Sequence, residues 1–241
     1  MLAAIITPAL SFVAFVLLLF ATLSVPIIKS IFLFTLAANI SSQLESASAT
    51  VRFGVWGYCT SSVDVAGLFS DNITPAKCSP VHLGYTFDAT IAHFLQVPLN
   101  LDSNELVRVV SKTTTAALVL HPIACALTFL TMLISLFMFR RGSNRPARLP
   151  SLLTLIIGTL AALLTTIVFL IDVILVAVIR DHVKEDTDGD VSLNWGNAVW
   201  IALGATIALW LAMVATCGRL CACGSQKRFV LLSHTLHPSE A

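Results

Sequence analysis

Charge is scarce in this chain of 241 residues. Fourteen basic and thirteen acidic side chains make up 11% of it, against roughly 25% in an ordinary soluble domain. Hydrophobic residues reach 57% and the mean hydropathy is +0.90. A globule of this composition could not face water without large apolar patches. That excludes a soluble enzyme and a disordered regulator. The net charge of +1 offers no basic footprint for nucleic acid. Catalytic signatures are missing too: there is no His-Glu-x-x-His, no Gly-x-Ser-x-Gly, no phosphate-cradling glycine loop and no paired carboxylates within the apolar stretches. No enzyme activity, cofactor or metal site is expected. A single acid across the apolar stretches also argues against a transporter.

What remains is an integral membrane protein, and the placement of the charges gives its layout. None falls in residues 2–25, 113–139 or 197–218, and 149–179 contains only Asp172. Each window meets the ~20 apolar residues that cross ~30 Å of hydrocarbon as a helix. Inside lipid every backbone N–H must find a partner within its own segment, so helices are expected. The first window also competes as a cleaved signal peptide. Its start, Met1-Leu2-Ala3-Ala4, lacks a basic side chain, and the run exceeds a usual signal core, so an uncleaved helix is expected. The apolar run 31–38 is too short to span and is expected at the interface or packed into the large loop.

Loop charge sets the orientation. The connection 140–148 holds Arg140, Arg141, Arg145 and Arg148 and no acid. The connection 180–190 holds Arg180 and Lys184 against Asp181, Glu185, Asp186, Asp188 and Asp190. The tail after Gly218 carries Arg219, Lys227 and Arg228 against Glu240. By the positive-inside rule both termini and the arginine loop face the cytoplasm, while the loop 26–112 and the acidic loop face outside. The expected organisation is one membrane domain, 1–218, with a short cytoplasmic tail, 219–241.

The outer loop carries Cys59 and Cys78. In an oxidising compartment two thiols at this spacing are expected to pair; two free buried thiols are the alternative. Residues 51–58, rich in aromatic and β-branched side chains, read as a strand leading into Cys59, and 81–87 as a second strand after Cys78. The expectation is a small disulfide-linked antiparallel sheet above a bundle of four helices.

Phe53-Gly54-Val55-Trp56-Gly57-Tyr58-Cys59, with Cys78-Ser79 and Leu83-Gly84-Tyr85, resembles the outer-loop signature of the fungal PalI family of four-helix membrane proteins. Pro26-Ile27-Ile28-Lys29-Ser30, His121-Pro122, Asp172-Val173-Ile174-Leu175 and Trp195-Gly196 resemble further motifs of that family, in the same order. Gly54-Val55-Trp56 with two cysteines also resembles the claudin pattern more loosely. The resemblance implies a claudin-like tetraspan of the plasma membrane that assists ambient-pH signalling beside a seven-helix pH sensor. Eisosome-associated tetraspans, which organise membrane patches and wall attachment, are the alternative implication. PalI proteins often carry a long cytoplasmic tail, where this chain has residues 219–241.

Individual polar residues take bland and sharp readings. Asp172, about 10 Å deep at 1.5 Å per residue, is expected to bond a Thr or a ring N–H within the bundle; a pH-sensitive contact with a partner helix is the sharper alternative. His121, before the helix-interrupting Pro122, is expected to bond the carbonyl that Pro122 frees, with titration near neutrality as the alternative. His82 and His93 lie in the outer loop. Cys217, Cys221 and Cys223 cluster at the inner end of helix 4 and read as S-palmitoylation candidates. Asn39 and Asn72 open N-glycosylation sequons. Asp102 with Glu105 forms a capping box, so helix 2 is expected to project beyond the bilayer. Gly158 with Ala162, and Gly204 with Ala208, are small-residue pairs suited to close helix approach. Trp195 and Trp200 read as interfacial anchors.

Overall fold

Among the described residues, four helices form a ring capped at one end by an antiparallel sheet. The computed structural model describes residues 2–41, 45–61, 63–67, 70–74, 76–81, 103–140, 148–186 and 191–236. In chain order these form α1 (Leu2–Thr22), β1 (Phe34–Ser41), β2 (Glu45–Phe53), β3 (Tyr58–Thr60), β4 (Val63–Gly67), β5 (Ser70–Thr74), β6 (Lys77–Cys78), α2 (Ser103–Arg140), α3 (Arg148–Asp186), β7 (Val191–Trp195) and α4 (Asn197–Leu236). Within the helices, Ile5–Thr22, Val119–Phe137, Leu152–Asp181 and Asn197–Gly218 are long and apolar enough to cross a bilayer. The chain is a multi-pass membrane protein of the claudin-like tetraspan type.

In the ring, α1 packs against α2 and α4, and α3 closes the circle between α2 and α4. Lipid inverts the usual size pattern. Along α3 the exposed positions are large and apolar (Ile156, Leu160, Leu163, Ile167, Ile174), whereas the buried ones are Ala161, Ala162, Thr165, Val168 and Asp172. Small residues let the backbones approach, which is how helices associate where burying a leucine from water gives no advantage. Gly158 shows this directly: a Cβ there would stand 2.4 Å from the Met213 sulfur and 3.1 Å from Thr131 Cγ2. Several buried hydroxyls donate to their own helix. Thr128 bonds the Ala124 carbonyl at 2.7 Å, Thr206 that of Ala202 at 2.8 Å and Thr216 that of Ala212 at 2.8 Å. Between helices, the Trp210 indole N–H donates to Thr166 Oγ1 at 3.1 Å, and the Thr216 hydroxyl pairs with that of Thr7 at 3.3 Å.

The sheet runs β5-β4-β2-β1-β7, with β3 joined to β2 and to β6. The run 31–38 thus leads into β1, flanked by β2 and β7, instead of lying on the membrane surface. Its alternation explains why: Phe34 and Leu36 are buried while Thr35 and Ala37 are half-buried. Phe34 and Phe53, opposite each other in register, stack with ring centroids 4.6 Å apart. The inward face of the sheet (Phe34, Leu36, Val51, Phe53, Leu193) shares one core with Leu175 and Val176 of α3 and Val199 of α4.

Two local expectations change. The strand expected over 51–58 is interrupted: β2 ends at Phe53 and β3 starts at Tyr58. Gly54 N–H bonds the Gly57 carbonyl at 2.8 Å, so the glycines turn the chain between two strands. The strand expected over 81–87 lies outside the described residues except Val81, which is not in a strand; β6 is the segment that pairs with β3. The helices also outrun the charge-free windows, α3 to Asp186 and α4 to Leu236. α2 starts at Ser103; Asp102, the expected cap, lies outside the described residues, as do His82, His93 and the connections 141–147 and 187–190.

Candidate functional site

Two features carry polar chemistry: the seat of the 53–59 signature on the end of α1, and a polar pair inside the bundle below it. The seat begins where α1 stops. Its last residues present unpaired carbonyls, and the signature supplies donors for them. The Trp56 indole N–H donates to the Thr22 carbonyl. The Trp56 backbone N–H donates to the Val25 carbonyl at 3.3 Å, and Val55 N–H to Ser24 Oγ at 2.9 Å. Gly54 permits the approach, since a Cβ would lie 2.4 Å from the Val25 carbonyl oxygen. At Gly57 a Cβ would collide with Ser79 Oγ, which instead accepts from Tyr58 N–H at 3.1 Å.

Phe53, Gly54, Val55, Gly57 and Tyr58 are all buried and Trp56 is half-buried. The signature therefore anchors the sheet on the bundle. Cys59 and Cys78 form a disulfide and face each other across β3 and β6. Changing Trp56 to Phe keeps an aromatic ring but removes the bond to Thr22. The expected loss is about 1 kcal/mol, read as a lower unfolding midpoint of the full chain in lipid nanodiscs; an unchanged midpoint would contradict the anchoring role.

A second clamp joins β1 to α4, and the sequence reading missed it. Asn197 Nδ2 donates to the Ser30 carbonyl at 2.8 Å, and its Oδ1 accepts from Phe32 N–H at 3.1 Å. Gly196 N–H and Ala198 N–H donate to the Leu33 and Phe32 carbonyls at 2.8 and 3.1 Å. An Asn following Trp-Gly at a helix start was the available signal. A methyl on Gly196 would lie 2.0 Å from the Phe32 oxygen and 2.4 Å from that of Leu33. These are backbone atoms, so Gly196→Ala is expected to cost about 1–3 kcal/mol, measured as reduced folded yield and midpoint. Wild-type behaviour of this variant would contradict the clamp.

The polar pair joins two residues that were read separately. His121 Nε2 lies 3.2 Å from Asp172 Oδ2, with side chains only 1% and 2% exposed. Asp172 thus meets a ring nitrogen, one of its expected partners, and His121 turns Nε2 toward it. At Oδ2 the approach is not a hydrogen bond of regular geometry. The pair sits between the apolar core under the sheet, which includes Leu175 and Val176, and a lower core that includes Leu18, Cys125 and Leu209. One turn below His121, the Cys125 thiol lies beside the Thr22 side chain. Thr22 therefore touches both the signature, through its carbonyl, and α2.

The remaining candidates stand apart. Cys217 is exposed near the end of α4 remote from the sheet. Cys221 follows one turn later and Cys223 beyond it, on the same helix. Asn39 lies in β1 opposite Ser48, and Asn72 in β5 opposite Val65. Trp195 is half-buried against the sheet core and Trp200 is exposed on α4.

The sequence pattern of the SUR7/PalI family matches residues 2–212. Fungal proteins are among those similar to this chain. The pH-response regulator protein palI/prr-5 of Neurospora crassa is 28% identical over 208 residues, covering 86% of this chain and 24% of the relative. The pH-response regulator protein palI/RIM9 of Emericella nidulans is 30% identical over 212 residues, covering 85% and 29%. That of Yarrowia lipolytica is 29% identical over 206 residues, covering 85% and 21%. The chain spans less than a third of the length of these curated relatives.

Proposed function

The chain belongs to the SUR7/PalI family, and from that footing we propose that it serves the ambient-pH response as a plasma-membrane tetraspan that associates with a seven-helix pH sensor. The observation that carries this reading is the match itself. It runs from the first membrane-crossing helix through the sheet and into the fourth, and the matched relatives are named pH-response regulators. The arginine-rich connection 140–148 supports an arrangement with that loop and both termini in the cytoplasm and the sheet outside.

Association is non-covalent. The signature is spent on anchoring, so the sheet face turned from the bundle is left for the sensor, with exposed Arg52, Ser192 and Asn194. Acylation of Cys217 and its neighbours would hold the inner end of α4 at the lipid surface. Glycans on Asn39 or Asn72 would mark the sheet side as external.

Deleting the gene tests the reading. The expected result is a growth defect at alkaline pH, with the pathway's transcription factor left unprocessed. Altered wall or membrane-patch architecture with a normal pH response would overturn it in favour of a structural organiser. Crosslinking in native membranes through Arg52→Cys is expected to capture the sensor.

A further inference from the structure

We propose that a groove between α1 and α2 holds one acyl chain of an anionic phospholipid, whose phosphate sits at the arginine-bearing end of α2. The proposal goes beyond the pH-response reading and does not rest on it.

The two helices run antiparallel. Phe15 of α1 and Phe129 of α2 touch, with ring centroids 5.1 Å apart, and this contact bounds the groove on the sheet side. Below it the groove is lined by Ile5, Pro8, Ala9 and Phe12 of α1 and by Met132 and Leu136 of α2. Its volume is about 410 Å³, inside the ~300–1,000 Å³ of small-ligand sites. Every lining side chain is apolar. Ile5, Phe12 and Leu136 are 53%, 55% and 48% exposed, so the groove is open on its outer side. It lies within the membrane-crossing segments Ile5–Thr22 and Val119–Phe137, where the surrounding medium is hydrocarbon. From Ile5 to Phe12 it extends about 10 Å at 1.5 Å per residue, a third of the ~30 Å apolar thickness. Helices associate in lipid over small residues. Here the small Ala9 stands between the larger Ile5, Phe12 and Leu136, a shape that admits a flexible chain and keeps a second helix away.

The mouth of the groove decides the headgroup. Position 140 follows Leu136 by four residues, one turn on and along the same side of α2. It carries Arg140, the last residue of α2, and α3 opens at Arg148. Between them the sequence adds Arg141 and Arg145 and no acid. Residues 2–22 of α1 contain no acid, and the acids of α2 and α3 nearest the connection in sequence are Glu105 and Asp172, far along their helices. A phosphate at this end therefore meets cations without a competing carboxylate, and arginine suits it by offering paired N–H donors. A sterol would fill the groove but leave that charge unused. Anionic phospholipids are also concentrated in the cytoplasmic leaflet, against which the arginine-rich connection is proposed to lie.

Photo-crosslinking of the full chain in lipid nanodiscs tests this, with phosphatidylserine and phosphatidylcholine probes that carry the same diazirine acyl chain. Labelled peptides are mapped by mass spectrometry over 5–12 and 132–136. The reference face is 152–163 of α3, where Ile156 and Leu160 are exposed. The ratio of serine-probe to choline-probe labelling is expected to be about fivefold higher in the groove than on the reference face, the worth of one arginine near a lipid headgroup. Arg140→Gln is expected to bring the two faces level. Ala9→Phe fills the groove without changing charge and is expected to abolish the excess; should it not fold, Ala9→Leu takes its place. Unlabelled phosphatidylserine in excess is expected to displace the probe. Equal ratios on the two faces of the wild type, or an excess that survives filling of the groove, overturns the site. Displacement by a sterol and not by phosphatidylserine overturns the assignment of its occupant.

Discussion

Replacing His121 with Leu is expected to destabilise the bundle by about 3–5 kcal/mol, because the carboxyl of Asp172 is left buried without its partner. Asp172 is 1% exposed, and its Oδ2 accepts no hydrogen bond of regular geometry but lies 3.2 Å from the imidazole Nε2. The reverse change, Asp172→Leu, leaves a neutral imidazole and is expected to cost less. Changing both to Leu removes the polar burden together with its compensation and is expected to be near neutral or stabilising. The measurement is a double-mutant cycle on unfolding midpoints at fixed pH. Additive single effects would show that the 3.2 Å contact has no energetic content.

Loss of the Cys59–Cys78 bridge is the second large effect. The thiols are 19 positions apart, and opening a loop of that size costs about 3 kcal/mol on the chain-entropy model. The bridge ties β3 to the two-residue β6, which has little pairing of its own. Cys59→Ser with Cys78→Ser is therefore expected to free the segment beyond β3 while the helices keep their packing. Limited proteolysis should cut the sheet side of the double variant and spare that side of the wild type. Reduction should slow wild-type migration on a denaturing gel. Two thiols that alkylate without reductant would contradict the bond.

The four spans were legible because lipid forbids charge over ~20 residues. The charge-free windows contain the apolar cores of α1 to α4, and Asp172 stood out as the exception. The cysteine pairing was legible from compartment and spacing. The ends of α3 and α4 were not, since a helix continues into water without any apolar signal: α4 runs to Leu236 through Arg219, Lys227 and Arg228. Nor was β1, whose short apolar run reads equally as an interfacial segment until β2 and β7 flank it. The 53–59 signature stood out as a motif, but its role did not. Only the hydrogen bonds to Thr22, Ser24 and Val25 turn it from a contact surface into an anchor. The His121–Asp172 pair needed the antiparallel packing of α2 on α3, which places residues 51 positions apart side by side.

Orientation is the premise on which the proposed sensor contact depends. The most direct measurement is labelling of intact cells with a membrane-impermeant thiol reagent, using Ser192→Cys in β7 and Ser143→Cys in the arginine-rich connection. The account predicts that position 192 labels on intact cells and position 143 only after permeabilisation. Labelling of position 143 on intact cells, with position 192 protected, would contradict it.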